Sequence, residues 1–220
     1  MRNKNKEEKI LQAAEAYAKE QLGNDVSGHD FWHVKRVVNL ALQIAEEEKA
    51  DTFICHLAAL LHDVADGKLN SSEEAGLAKV EHWLLQKELE PADCQEIMAI
   101  ISHISFKGGQ VSNFPLSAEG KIVQDADRLD ALGAIGIARA MVYSGAKGRP
   151  IYDPNLSPRE NMTLEEYRST EGTAIMHFYE KLLTLKDKMN TETAKKLAEN
   201  RHAFMESYLE QFYAEWEGKR

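Results

Sequence analysis

The stretch Phe53-Ile54-Cys55-His56-Leu57-Ala58-Ala59-Leu60-Leu61-His62-Asp63-Val64 decides how the rest of the chain is read. It is apolar almost all round and holds no glycine or proline, which is the pattern of a helix enclosed by other helices rather than one lying on a surface. Its far end carries an adjacent histidine and aspartate. A carboxylate delivered to such a place costs several kcal/mol unless it meets a cation, so His62-Asp63 asks for a partner.

Working outward, the apolar residues recur at helical spacing over 10–22, 34–45, 77–89 and 97–104 as well, and no convincing alternating strand appears. Ser71 with Glu74 and Thr163 with Glu166 have capping-box spacing, and Pro91 suits a first helical turn. The C-terminal third carries a stripe of Leu164, Tyr167, Ile175, Phe178, Leu182, Leu185 and Met189, followed by a final helix near 191–216. The expected fold class is therefore all-α: one compact domain, with the C-terminal helices over 163–216 packed back on the rest. Two irregular segments interrupt it, at about 106–120 and 143–161. Segments this long are usually functional. The charges Lys147, Arg149 and Asp153 favour a substrate-covering role for the second one, with an inter-domain linker as the alternative.

Composition narrows the function. The chain has 220 residues, 43% of them hydrophobic, and a formal charge of −9. That charge argues against a polynucleotide partner, since phosphate backbones call for a basic surface. A small phosphorylated molecule needs only a local group of cations. Two isolated cysteines, Cys55 and Cys94, fit a reduced, cytoplasmic setting. The charged start at 1–9 has no apolar run after it, so no signal peptide is expected, and no stretch is apolar and long enough for a membrane span.

Two further positions share the character of His62-Asp63. His33 is in register with Val37, Leu40, Ala41 and Ile44, which puts an imidazole on the apolar face of its helix. Asp127, within Gln124-Asp125-Ala126-Asp127-Arg128-Leu129, aligns with Val123 and Asp130. Taken singly, each has an ordinary explanation as a hydrogen-bonded core residue. Taken together, His33, His62, Asp63 and Asp127 are satisfied by one divalent ion. A second His-Asp pair, His29-Asp30, precedes the first of these helices, where Asp30 is placed to cap it.

The order of these residues resembles the HD-domain superfamily of metal-dependent phosphohydrolases: a histidine, a His-Asp doublet, then a distant aspartate, all on helices. His33 matches within Asp30-Phe31-Trp32-His33-Val34-Lys35-Arg36-Val37, and the doublet within Leu61-His62-Asp63-Val64-Ala65-Asp66-Gly67-Lys68. Asp127 matches within Asp125-Ala126-Asp127-Arg128-Leu129-Asp130. Asp125 and Asp130 compete with it for the fourth place, and Asp127 is preferred because the superfamily sets that aspartate immediately before Arg-Leu. The core match spans about 27–141. Beyond it, Gly148-Arg149-Pro150-Ile151-Tyr152-Asp153 and His177-Phe178-Tyr179-Glu180-Lys181-Leu182 resemble a bacterial branch, the YpgQ-like proteins, some of which are regarded as nucleotide pyrophosphohydrolases.

Two imidazoles and two carboxylates suit Mn²⁺ first, with Fe²⁺, Co²⁺, Ni²⁺ and Mg²⁺ as alternatives. Such an ion lowers the pKa of a coordinated water and polarises a phosphoryl oxygen. Asp66 lies one turn beyond Asp63 if the helix persists, within reach of a proton from that water; otherwise it begins a turn with Gly67. Lys68 is the first cation expected to meet phosphate, followed by His103 and Lys107. The branch resemblance adds Arg149 and Lys181. Arg36 and Asp130 are expected to orient the ligands from behind. The resulting expectation is hydrolysis of a nucleoside triphosphate to monophosphate and pyrophosphate, by a chain with room to act as a homodimer. A nucleotide phosphomonoesterase or phosphodiesterase is the alternative within enzymes, and a non-catalytic metal- or nucleotide-binding signalling module is the alternative outside them.

Overall fold

A computed structural model of the chain describes residues 2–23, 30–66, 69–104, 115–159 and 172–219. Among these residues there are nine α-helices and no strand, as the periodicity requires. The helices are α1 (Lys4–Leu22), α2 (Phe31–Glu48), α3 (Thr52–Leu61), α4 (Glu73–Leu85), α5 (Pro91–His103), α6 (Ala118–Asp130), α7 (Gly133–Ala146), α8 (Ala174–Glu180) and α9 (Glu192–Trp216). None is long and apolar enough to cross a membrane. The chain forms two compact units, and the division falls inside α6, between Ala126 and Asp127.

In the first unit α3 is the centre, packed by α1, α2 and α5. Leu57, Ala58, Ala59, Leu60 and Leu61 are all fully buried. The two alanines let neighbouring backbones approach, and the leucines fill the space between them. Asp51 starts α3 by accepting the amides of Phe53 and Ile54 at 3.1 and 3.2 Å. The Arg2 guanidinium binds both Asp51 and Asp93, tying the start of α1 to those of α3 and α5. Cys55 is buried within α3, which pushes its thiol up to about 12 and leaves it unreactive.

Three local expectations are corrected here. The helix containing the doublet does not run to Val64: α3 stops at Leu61, and His62–Ala65 tighten into a 3-10 turn. α4 packs closely on this turn: at Gly76 a Cβ would stand 2.2 Å from the Ala65 carbonyl oxygen. The cap of α4 is Ser72, accepting the Ala75 amide at 3.1 Å, and not Ser71. The third concerns 143–161, of which the first four residues continue α7 to Ala146. Thr163, Glu166, Leu164 and Tyr167 lie outside the described residues.

In the second unit α7 packs on α8 and α9. Gly133 opens α7 at φ +69, a conformation that costs little only for glycine. Asp130, 1% exposed, meets Arg139 of α7 at 2.9 Å. Arg201 of α9 donates to the Leu129 carbonyl. The described part of the second irregular segment is held within this unit. Tyr152 sits among Phe212, Tyr213 and Trp216 of α9, with ring centroids 5.0–5.8 Å away. Arg159 grips Glu180 through its backbone amide and its guanidinium, at 2.8–3.1 Å. It is packed inside one unit rather than strung between two.

Candidate metal centre

α2 presents its first turn through a cap that the sequence announces: Asp30 accepts the His33 amide at 2.9 Å. His33 is fully buried, along with its register partners Val37, Ala41 and Ile44. His62 and Asp63 follow α3 in the 3-10 turn and are 7% and 9% exposed. The two imidazoles meet edge to face, with centroids 5.4 Å apart. Each points its Nε2 at a different oxygen of Asp63, and both distances are 3.3 Å.

That spacing is informative. Charge-assisted bonds between such groups close to about 2.7–2.9 Å. Atoms that instead ligate a common ion at about 2.0–2.2 Å stand roughly 3–4 Å apart. The His62 ring is oriented from behind, its Nδ1 2.8 Å from the Ala59 carbonyl. A carbonyl accepts only, so Nδ1 carries the proton and Nε2 keeps its lone pair, the arrangement that metal-ligating histidines show.

Asp127 follows Ala126 on the same uninterrupted helix. One of its carboxylate oxygens, a His33 nitrogen and a His62 nitrogen all lie within 4.8 Å of one another. Two ligands on opposite sides of an ion stand about 4.3 Å apart, so these three donors are compatible with one divalent cation. The neighbouring aspartates are placed differently. Asp125 is fully buried, and Asp130 turns its carboxylate to Arg139.

The remaining expected site residues are distributed as follows. Asp66 ends the 3-10 turn with ψ 131, so the helix does not persist, and its carbonyl accepts the Leu69 amide at 3.0 Å. Arg36 is half-buried one turn after His33 on α2. His103 closes α5 with Nδ1 2.8 Å from the Ala99 carbonyl. Lys68 and Lys107 lie outside the described residues. Arg149 and Lys181 are half-buried members of the second unit.

Two residues that sequence reasoning missed hold the doublet in place. The Asn70 amide donates to the carbonyls of Val64 and Asp66, both at 2.9 Å, clasping the far side of the turn. Gly76 supplies the close approach of α4. A glycine in the middle of a helical pattern was the available signal for it. Nothing local marks Asn70.

A family model described as the HD domain matches residues 31–132. YpgQ of Bacillus subtilis is 42% identical over 207 residues, covering 94% of this chain and 93% of YpgQ. The chain belongs to the HD-domain superfamily. Within it, the chain is similar to YpgQ, whose crystal structure in complex with ADP superposes with a TM-score of 0.77 at 38% identity, covering 96% of each chain. A Bacillus thuringiensis protein described as an HD-superfamily hydrolase gives 0.77 at 45% identity, over 96% of this chain and 98% of that one. A Lactobacillus plantarum protein gives 0.85 at 45% identity, over 99% and 100%. These neighbours support a hydrolase.

Proposed function

We propose that this protein is a metal-dependent phosphohydrolase acting on a small phosphorylated molecule, a nucleotide, and that it converts a nucleoside triphosphate to the monophosphate and pyrophosphate. The observation that carries the reading is the convergence of His33 and His62 on Asp63 inside an apolar helical frame, together with an Asp127 oxygen within 4.8 Å of a nitrogen of each histidine. ADP bound to the similar protein YpgQ supports a nucleotide as the ligand.

In this reading His33, His62, Asp63 and Asp127 hold one divalent ion, with Mn²⁺ favoured for a mixed nitrogen and oxygen set. When bound, the ion activates water and stabilises charge on a phosphoryl oxygen. The chain's own residues do the rest. The Ala59 carbonyl keeps His62 in the tautomer that offers Nε2. Asp66 is the base, its backbone fixed by the clasp of Asn70. Lys68, His103, Lys107, Arg149 and Lys181 meet the phosphates, and Arg36 steadies the carboxylates from behind, while Asp130 is taken up by Arg139.

Purified protein incubated with Mn²⁺ and a panel of nucleotides and phosphate esters, with the products identified, tests the reading. Expected are the monophosphate and pyrophosphate, and loss of both in Asp63→Ala. Release of orthophosphate alone would point to a phosphomonoesterase. Turnover of none of the panel, or full turnover by Asp63→Ala, rejects catalysis at this site and favours a binding module.

A further inference from the structure

Among the described residues of the first unit, three large apolar side chains stand open to solvent: Trp32 at 65% exposure, Leu69 at 42% and Leu85 at 70%. Leu85 is the last residue of α4, and a single apolar side chain at a helix end is ordinary surface. The other two flank the metal centre along the chain. Trp32 immediately precedes His33, and Leu69 follows the doublet turn with its amide bonded to the Asp66 carbonyl at 3.0 Å.

Trp32 is fixed by its surroundings without being enclosed by them. It lies in the first turn of α2, between the cap Asp30 and the His33 amide that the cap accepts at 2.9 Å. Successive helical positions are about 100° apart around the axis, so at the level where His33 turns wholly inward, Trp32 turns out. Phe31 braces it from one side. That ring is 7% exposed, has the Lys19 ammonium 6.0 Å from its centroid, and meets the indole 5.7 Å away at a tilt of 58°. An oblique contact of this kind supports an indole and leaves most of its surface uncovered. Enclosing a tryptophan is among the largest apolar gains open to a fold, and here it is forgone one residue from a metal ligand. A ligand held at the metal centre is the partner placed to cover the ring.

We propose that Trp32 is the stacking platform for the base of a nucleotide whose phosphates are held at the metal centre. This role rests on the nucleotide reading of that centre and goes beyond it by naming what holds the base. The Cα atoms of Trp32 and His33 are about 3.8 Å apart, and a nucleotide bound through its phosphates carries its base several ångströms away from them, from the inward imidazole toward the outward indole. Leu69 beside the doublet turn adds apolar surface of the kind that lines ligand sites. Every base has a π-face, so such a contact separates nucleotides from base-free phosphates while tolerating changes of base.

The test uses the full chain loaded with Mn²⁺ and titrated calorimetrically with ADP and with inorganic pyrophosphate. Trp32→Ala is expected to weaken ADP about tenfold, the equivalent of one lost base stack, and to leave pyrophosphate unchanged. Trp32→Phe keeps a ring and should stay within about threefold of wild type for ADP. In turnover of a nucleoside triphosphate, Trp32→Ala should raise KM with kcat little changed. Leu85→Ala, equally exposed and far along α4, should match wild type throughout. Unchanged ADP affinity in Trp32→Ala overturns the platform, and so does an equal loss for ADP and pyrophosphate, which is what damage to the α2 cap alone would give. Wild type that binds no ADP overturns it as well. Triphosphate hydrolysis alongside any of these results leaves the hydrolase standing without the platform. ADP binding that depends on Trp32, with no turnover of any nucleotide, does the reverse.

Discussion

The His33–His62–Asp63 frame of the first unit and the Asp130–Arg139 pair of the second both bury a carboxylate, and they settle its charge in different ways. The frame uses short groups with one or two rotatable bonds, on α2 and the turn after α3, beside fully buried residues such as Val34, Val37 and Leu61. Its Asp63 oxygens stand 3.3 Å from the imidazoles, longer than a charge-assisted bond. Asp130 instead meets the Arg139 guanidinium at 2.9 Å, within the range of such a bond. A metal ion tolerates errors of a few tenths of an ångström in its ligands, so its donors belong on rigid elements. Rigidity should therefore serve metal binding at the frame, and the pairing of charges should serve stability in the second unit.

The largest expected effect is at the frame itself. Asp63→Ala removes the group that both imidazoles face, and Mn²⁺ affinity should fall by more than roughly a hundredfold, since loss of an outer partner alone costs about 10–100-fold. Equilibrium dialysis checks this without any activity assay. Near wild-type affinity would break the contrast, because the frame would then be a core hydrogen-bond cluster. Next in size is Arg139→Met in the second unit, which removes the 2.9 Å ion-pair partner of the buried Asp130 carboxylate while the charge of Arg201 remains. Stability should drop by about 4 kcal/mol in urea unfolding, as expected for breaking one half of a buried ion pair.

Much of the frame was legible in the sequence because its residues are anomalies in a strong local pattern. His33 interrupts the apolar face of α2, the doublet follows a helix that is apolar all round, and Asp30 announces the cap. What was hidden depends on contacts between elements distant in sequence. The 3-10 turn at His62–Ala65 is packed by α4, where Gly76 comes close to the Ala65 carbonyl, and that contact is invisible around residue 62. The same holds for Asp66, whose expected helical placement failed with the helix. The second unit was still less legible. Arg149 and Lys181 came forward mainly through the family resemblance.

Gly76→Ala sharpens the rigidity half of the contrast. A Cβ 2.2 Å from a backbone oxygen cannot be relieved by moving a flexible side chain, so either α4 or the doublet turn must shift. Overpacking of this kind should cost about 3 kcal/mol. Differential scanning calorimetry gives the cost, and Mn²⁺ affinity should fall with it. A stability loss with metal affinity intact would show that the turn gives way without disturbing its side chains.

The smallest effect is expected at His177 and comes from protons. Held at about 3 by burial, Lys181 and Arg149, against Glu180 and with Arg159, the folded imidazole stays neutral in weak acid. The unfolded chain takes up that proton as pH falls through the ordinary value of about 6.5. Between these two values the unfolded state binds more protons, so stability is fully present above about 6.5 and is lost on acidification, by up to about 1.4 kcal/mol per pH unit. Other groups titrate in the same range, so the informative quantity is the difference between wild type and His177→Gln. Urea unfolding at pH 6.5 and 5.0 should show wild type losing up to about 2 kcal/mol more than the variant. An equal slope in the two proteins would mean that the folded imidazole takes up its proton as readily as the unfolded chain does, and charge would then count for less in the second unit than the contrast requires.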